Sequence, residues 1–219
     1  MSHNARQQKK LAKLKAKRTE KRQTIARQTS NDPTIRLAGA ADWPVIDSLV
    51  GQGIFDSGLG TALVSRRMPD GGVAVASFVV DVYCLGIKNC FWKAFSTFEY
   101  SEFLAKFEKG AAAMQVAPEY VVKLVTEAAA YARALGFPPH ADYRRTQMVL
   151  AGIDPAKCTE TFEFGKDGKP FYIQGPHETP LMVKSIVKRV AEHGGHYLVG
   201  LGANPNRLPV RILTMDDME

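Results

Sequence analysis

The chain has 219 residues, a formal net charge of +7 and a hydrophobic fraction of 45%. This length allows one domain with an extension or at most two small domains, and the apolar content excludes disorder throughout the chain. Three widely spaced cysteines, Cys84, Cys90 and Cys158, argue against the disulfide framework of a small secreted protein. The basic start is not followed by an apolar stretch of signal-peptide length, so we expect a soluble, cytoplasmic protein with no membrane partner.

The positive charge is concentrated at the start of the chain. Residues 1–28 contain ten basic side chains and one acid, Glu20, which gives this segment +9 and leaves −2 for the remainder. The basic residues are Arg6, Lys9, Lys10, Lys13, Lys15, Lys17, Arg18, Lys21, Arg22 and Arg27. The composition is compatible with a helix, but no apolar stripe could pack on a core. We therefore predict a basic arm at 1–32, frayed alone and helical against a polyanion, followed by a globular domain at 33–205 and an acidic tail at 206–219.

The first half of the globular domain is predicted to contain two short helices and a hairpin. Helices are expected at 35–41, after Asp32 and Pro33, and at 45–49. A glycine-rich loop at 51–60 follows them. Strands at 61–67 and 73–85 flank a turn at 69–72, and the second strand is apolar enough to be buried on both faces.

The second half is predicted to be mainly helical. A capping box from Ser96 to Glu99 begins a helix that runs to about Lys109, and a longer helix is expected between Pro118 and Gly136. Further elements are predicted as a helix at 140–151, a hairpin from 161–164 and 170–173, a helix at 180–193, and a strand at 196–201. The fold class is therefore predicted as α+β, with two β-hairpins packed against several helices.

Some segments are similar to those of a protein family. The basic arm, residues 80–88 (VDVYCLGIK), residues 162–170 (FEFGKDGKP) and the following Gly175 and Pro176 resemble an uncharacterised bacterial family with a basic N-terminal arm. The resemblance covers most of the chain. It implies a bacterial origin and brings no activity.

The arm indicates nucleic acid as the partner. Lysine and arginine neutralise phosphates and release counterions, which supplies much of the affinity for nucleic acid. The arm has no aromatic residue to stack on bases, so it is expected to contact backbone and shape. A helix of 25 residues would reach about 37 Å, which suits structured or ribosomal RNA. A solubilising tail, a localisation signal and an anionic membrane surface are the other interpretations.

Four residues of the domain are candidates for catalysis: Asp81, Lys88, Glu163 and Asp167. An acid within a buried strand is costly unless it is paired or functional, and Lys88 could approach Asp81 if the chain turns at Gly86. With Glu163 and Asp167, this set resembles the carboxylate cluster of a metal-dependent nuclease. The competing interpretation of Asp81 is a strand-end aspartate bonded to backbone, and the segment 163–170 has the composition of a tight turn.

Other chemical motifs are missing from the sequence. No Walker-type loop, nucleophile elbow or dinucleotide fingerprint is present, and His193 and His196 lack partners at metal-ligand spacing. We predict no cofactor and no metal. The favoured function is a non-catalytic, ribosome- or RNA-associated protein, with a nucleic-acid-processing enzyme and a protein-binding adaptor localised by the arm as the other possibilities.

Overall fold

The computed structural model describes residues 37–200, together with Lys17 and residues 210–212. The chain divides into two units between Gly39 and Ala40, and the second unit holds nearly all of the described residues. This unit combines helices with an antiparallel sheet and a smaller second sheet, so the predicted α+β class is confirmed. Within the described part of the chain, no helix has the length and apolar character needed to cross a membrane.

The main sheet has five strands in the order β4-β3-β2-β1-β5, and all neighbours are antiparallel. Their bounds are β1 Val45–Gly51, β2 Leu59–Arg67, β3 Val73–Asp81, β4 Gly86–Phe95 and β5 Ala113–Gln115.

The β2–β3 hairpin confirms the prediction for this segment. Nine residue pairs join the two strands, from Leu59↔Asp81 to Arg67↔Val73. Asp70 stabilises the turn by accepting a hydrogen bond from the backbone N–H of Gly72 at 3.0 Å. The turn sets the register of the two strands. Burial maintains it, because a slip of one residue would reverse which side chains are buried.

The prediction of a helix at 45–49 is wrong, since these residues lie in β1. β1 pairs with β2 and β5, and its Leu49 and Val50 are both buried although they point to opposite faces of the sheet. A run of five residues is too short to separate a helix from a strand by periodicity, and the two flanking strands decide the outcome here.

The predicted strand 73–85 is also too long, because β3 ends at Asp81 and a turn leads into β4. The sequence interpretation missed β4. Its polar residues Lys88, Asn89 and Lys93 interrupt the apolar pattern. β4 is an edge strand of the sheet and is less buried than β3, so such polar residues are expected in it.

Five α-helices lie in the described unit: α1 Ile54–Ser57, α2 Thr97–Ala111, α3 Pro118–Ala134, α4 Tyr143–Thr146 and α5 Pro180–Glu192. α2, α3 and α5 confirm the three long helices predicted, and the capping box between Ser96 and Glu99 is present. The prediction of a loop throughout 51–60 is wrong, because α1 lies within that segment.

Two predicted helices are shorter than expected. The segment 140–151 forms only α4 and the 3-10 helix Gln147–Leu150. In the segment 35–41, residues 35–36 lie outside the described residues, 37–39 form a turn, and a 3-10 helix covers Ala40–Asp42.

The two faces of the main sheet are covered by different helices. Leu49, Leu63, Val75 and Phe95 form a core with partly buried side chains of α2, including Phe103. On the opposite face, Phe78 contacts the ring of Tyr143 in α4, and α3 packs across four strands. α2 and α4 therefore lie on opposite sides of the sheet.

The second sheet corrects the hairpin predicted at 161–173. β6 Phe171–Ile173 pairs in parallel with β7 His196–Gly200, with α5 as the crossover, and β8 Val210–Ile212 joins β7. Residues 161–164 form no strand, and a single bridge joins Lys166 and Lys169. The rings of the segment 161–164 pack on helices instead: Phe162 contacts Phe55, and Phe164 stacks on Tyr131. β8 lies inside the segment 206–219 that the sequence predicts as a tail.

A buried arginine ties two connections to the sheet. Arg66 is 2% exposed, and it donates hydrogen bonds to the carbonyl oxygens of Trp43, Val149 and Ala151 at 2.6 Å and of Ala41 at 3.4 Å. The planar guanidinium has enough N–H donors for all four acceptors. This one side chain therefore satisfies backbone groups from two segments about 100 residues apart.

Candidate functional site

The predicted nucleic-acid arm lies almost wholly outside the described residues. Of its ten cations, Lys17 is described and is helical and exposed. The other nine, Arg6, Lys9, Lys10, Lys13, Lys15, Arg18, Lys21, Arg22 and Arg27, lie outside. The arm remains a prediction from charge and composition.

Asp81 ends β3 and organises the turn into β4. Its carboxylate accepts hydrogen bonds from the backbone N–H groups of Tyr83 at 3.0 Å and Cys84 at 2.9 Å. Burial raises the pKa of Asp81, against the lowering effect of these N–H groups and of Lys88. This geometry matches the interpretation of a strand-end aspartate bonded to backbone.

Lys88 has a different carboxylate partner. Its Nζ lies 2.8 Å from Oε1 of Glu178, in the loop before α5. Oε2 of Glu178 accepts hydrogen bonds from the hydroxyl of Tyr172 at 2.5 Å and from the N–H of Gly175 at 2.7 Å. Lys88, Tyr172 and Glu178, here called the Glu178 network, thus join β4 to the second sheet and α5.

The pKa shifts follow from this network. Burial acts to raise the pKa of Glu178, but the hydrogen bonds from Lys88, Tyr172 and Gly175 and the charge of Lys88 leave it below its ordinary value. Burial, followed by the hydrogen bond to Glu178, raises the pKa of Tyr172. Glu178 is therefore held as a carboxylate and Tyr172 as a neutral phenol, an arrangement that holds the elements together.

Glu163 and Asp167 lie elsewhere, in a surface cleft of about 530 Å³. The cleft is also lined by Asp56, Lys166 and the rings of Phe55, Tyr83 and Phe162. Carboxylates beside aromatic faces suit a cationic group. Neither Asp81 nor Lys88 lines this cleft, so the structure does not bring the four catalytic candidates into one site.

The described residues also provide no group of three histidine, cysteine or acidic side chains close enough to hold a metal ion. Glu163 and Asp167 do share a cleft with Asp56, which the sequence interpretation did not select. The three carboxylates nevertheless lack the convergence that a metal-dependent nuclease needs.

A cysteine and a histidine meet on the face covered by α4. Sγ of Cys90 lies 3.8 Å from Nδ1 of His140. The same nitrogen accepts the N–H of Asp142 at 3.2 Å and lies 3.8 Å from its carboxylate. A nucleophile relay needs both ring nitrogens, one for the nucleophile and one for the acid. Burial also raises the pKa of the Cys90 thiol, which favours the unreactive form.

The sequence interpretation missed Glu178, Tyr172 and the partner of Lys88. Glu178 directly precedes Thr179, which caps α5 by accepting a hydrogen bond from the N–H of Met182. In the sequence it is therefore indistinguishable from an ordinary residue before a helix start. Its partner in β4 is 90 residues away, and no local spacing indicates such a contact.

No family model matches this chain, and searches of curated proteins and of solved structures found no similar protein.

Proposed function

We propose that this chain is a non-catalytic RNA-binding protein, associated with the ribosome, whose basic N-terminal arm contacts the phosphate backbone. The separation of charge is the observation on which the proposal rests. Residues 1–28 have a net charge of +9, and the remaining chain has −2. A uniformly basic protein would spread this charge over its surface, whereas a tether for a polyanion concentrates it.

The chemistry of the arm favours backbone contact with structured RNA. Its ten cations occur within 22 residues and no aromatic side chain accompanies them, so phosphate neutralisation supplies the binding free energy and bases are not read. The pairs Lys9–Lys10, Lys17–Arg18 and Lys21–Arg22 keep the charge density high along the whole segment.

The positions of the acidic residues support the non-catalytic part of the proposal. Asp81 is bonded to the backbone of its own turn, and Lys88 is paired with Glu178. Glu163 and Asp167 line a cleft that contains neither of them. The groups that a nuclease would use together thus have separate structural partners.

A protein-binding adaptor is the second candidate function, favoured by exposed apolar side chains on the globular unit. Leu181 is 81% exposed and Met182 50% exposed at the start of α5, and Ile173 is 44% exposed at the end of β6. Large apolar side chains exposed at adjacent positions, as at Leu181 and Met182, are typical of contacts with other proteins.

The test is co-sedimentation of the full chain with ribosomes over a series of KCl concentrations. A variant with all ten arm cations replaced by Gln is compared with Leu181→Ser/Met182→Ser, which leaves the charge unchanged. We expect saturable binding by the wild type and the serine variant near physiological salt, and loss of binding by the glutamine variant. Loss in the serine variant alone would contradict the RNA-tether function and favour the adaptor.

A further inference from the structure

Four exposed arginines lie around the C-terminal end of α3: Arg133, Arg144, Arg145 and Arg189. They come from α3, α4 and α5, so their proximity is a property of the fold and not of the sequence. We refer to them as the arginine surface.

Aromatic rings hold two of these guanidinium groups in place. The guanidinium of Arg133 lies over the ring of Tyr143, 5.7 Å from its centroid, and that of Arg189 lies over the ring of Phe137, also at 5.7 Å. Arg189 in addition donates to the carbonyl oxygen of Gly136. Stacking on a ring is favourable for arginine and restricts its rotamers.

Both stacked arginines are at the C-terminal end of α3, since Arg133 lies in its last turn and Arg189 contacts Gly136 just after it. The N–H of Gly136 donates to the carbonyl oxygen of Arg133 at 2.9 Å, so the backbone bonded to Arg189 is one helical turn from Arg133. Arg144 and Arg145 directly follow Tyr143, on which Arg133 stacks. The four arginines are therefore connected through Tyr143, Phe137 and Gly136 near the C-terminal end of α3.

The charge of this surface is only partly compensated. Asp142 lies 3.9 Å from Arg145, with both side chains more than half exposed, and such a pair is weak in water. Counting Asp142 against the four arginines leaves an excess of three positive charges. On α5, Lys184 and Lys188 extend the basic side chains beyond Arg189, and Lys188 has Glu192 at 3.9 Å.

We infer that the arginine surface is a second phosphate-contacting site, which docks the globular unit on the backbone of structured RNA. This inference rests on the proposed function and names the part of the globular unit that takes part in it. Arginine forms paired hydrogen bonds with phosphate oxygens. Guanidinium groups already held on rings lose less conformational entropy on binding than free side chains do.

The surface fits backbone recognition better than base recognition. Tyr143 and Phe137 are 7% exposed, so neither ring is available to stack on a base. Contacts to phosphates in a fixed arrangement favour a helical RNA over a flexible strand. Because the arm is linked to this surface by the same chain, two weak sites would reinforce each other.

The test uses the full chain, a fluorescently labelled RNA hairpin and single-stranded polyuridine, with affinity measured by anisotropy over a KCl series. The variant R133Q/R144Q/R145Q/R189Q removes the surface. The variant R144Q/R145Q removes two exposed guanidinium groups that are not placed over rings. Weaker RNA binding by this variant would therefore not result from the loss of a ring contact that stabilises the fold. The matched control K106Q/K109Q removes two exposed charges from α2, on the opposite side of the sheet.

We expect the quadruple variant to bind the hairpin at least about tenfold more weakly, and the salt slope to fall by roughly 0.7–0.9 for each phosphate that the variant no longer neutralises. R144Q/R145Q should show part of this effect, and K106Q/K109Q less than about a twofold change, since its lysines lie away from the site. Polyuridine binding, which depends on the arm, should change little.

Three results would overturn the inference. If the wild type binds the hairpin and the quadruple variant binds it equally well, the arginine surface is not a site, while the arm-based function stands. If hairpin and polyuridine affinities fall equally, or if K106Q/K109Q matches R144Q/R145Q, the effect is one of net charge. Absence of RNA binding by the wild type would overturn the proposed function and the inference together.

Discussion

The Glu178 network provides a quantitative test of how the two sheets are joined. Lys88→Met removes the ammonium, and Glu178→Gln keeps the shape of the side chain but removes its charge. The side chain of Glu178 is 10% exposed and that of Lys88 is 23% exposed. Each single variant therefore leaves a poorly solvated partner, and Glu178→Gln also weakens the acceptor for Tyr172 and Gly175.

The magnitude follows from the burial and the number of hydrogen bonds. Breaking a fully buried pair costs about 3–5 kcal/mol, and the partial exposure of Lys88 places each single variant at or below the low end of that range, at roughly 2–3 kcal/mol. The double variant removes both charges, so its loss should be smaller than the sum, with a coupling energy of about 1–2 kcal/mol.

Urea unfolding, followed by fluorescence and circular dichroism, measures the free energy of unfolding of the wild type, the two single variants and the double variant, which together form a double-mutant cycle. The exposed pair Lys188–Glu192, with side chains 78% and 56% exposed, is the control. The same substitutions in that pair should give a coupling of about 0.3–0.5 kcal/mol. A coupling at Lys88–Glu178 no larger than that of the control would refute the role assigned to the network.

Four further predictions concern stability and reactivity. First, because the pKa of Glu178 is below its ordinary value in the folded state, its contribution to stability is present above the unfolded-state pKa and is lost as pH falls through the folded-state pKa. The stability difference between wild type and Glu178→Gln, measured by urea unfolding, should therefore shrink in acid, and a difference independent of pH would contradict this. Second, Arg66→Met should lower the free energy of unfolding by about 3 kcal/mol or more, because it leaves the carbonyl oxygens that Arg66 contacts without donors. A loss below about 1 kcal/mol in urea unfolding would show that water replaces the guanidinium as the donor. Third, Gly86→Ala should destabilise the fold by more than about 2 kcal/mol, because its new Cβ would lie 2.6 Å from that of Ala132 at a φ of +64°. Gly71→Ala, which has a φ of +85° and open space around it, should cost only the backbone strain of about 1 kcal/mol. Equal shifts in the thermal midpoint of the two variants would contradict the packing argument. Fourth, iodoacetamide should modify Cys158 well before Cys84 or Cys90 in the folded chain, because the latter two are buried and burial raises the pKa of both thiols, an order that peptide mass spectrometry can check.

The parts of the fold that the sequence predicts depend on local chemistry. The turn with Asp70 and Gly72, the capping box at Ser96 and the proline at the start of α3 each act within a few residues. They determine where an element begins or ends irrespective of the rest of the chain. The β2–β3 hairpin and the three long helices are predictable for this reason.

The parts that the sequence does not predict depend on partners distant along the chain. β1 is a strand because β2 and β5 flank it, and residues 161–164 are irregular because their rings pack on helices rather than on a strand. The same applies to the sites. Arg66 meets acceptors 83 and 85 residues away, and the arginine surface joins side chains from three helices. No periodicity within one segment indicates such contacts.

The central claim, that the arm is a tether for RNA, is tested most directly by the salt dependence of RNA affinity. The slope of the logarithm of the association constant against the logarithm of KCl concentration should be determined for one RNA hairpin, with the wild type and the ten-glutamine arm variant. With about 0.7–0.9 counterions released per phosphate contact, engagement of most arm cations contributes a slope of roughly −5 to −9, and together with the arginine surface it predicts a wild-type slope of roughly −7 to −12. The arm variant should retain a slope of about −2 to −3 from the arginine surface. Equal slopes for the two proteins would contradict the claim, because the cations of the arm would then make no contact with the RNA backbone.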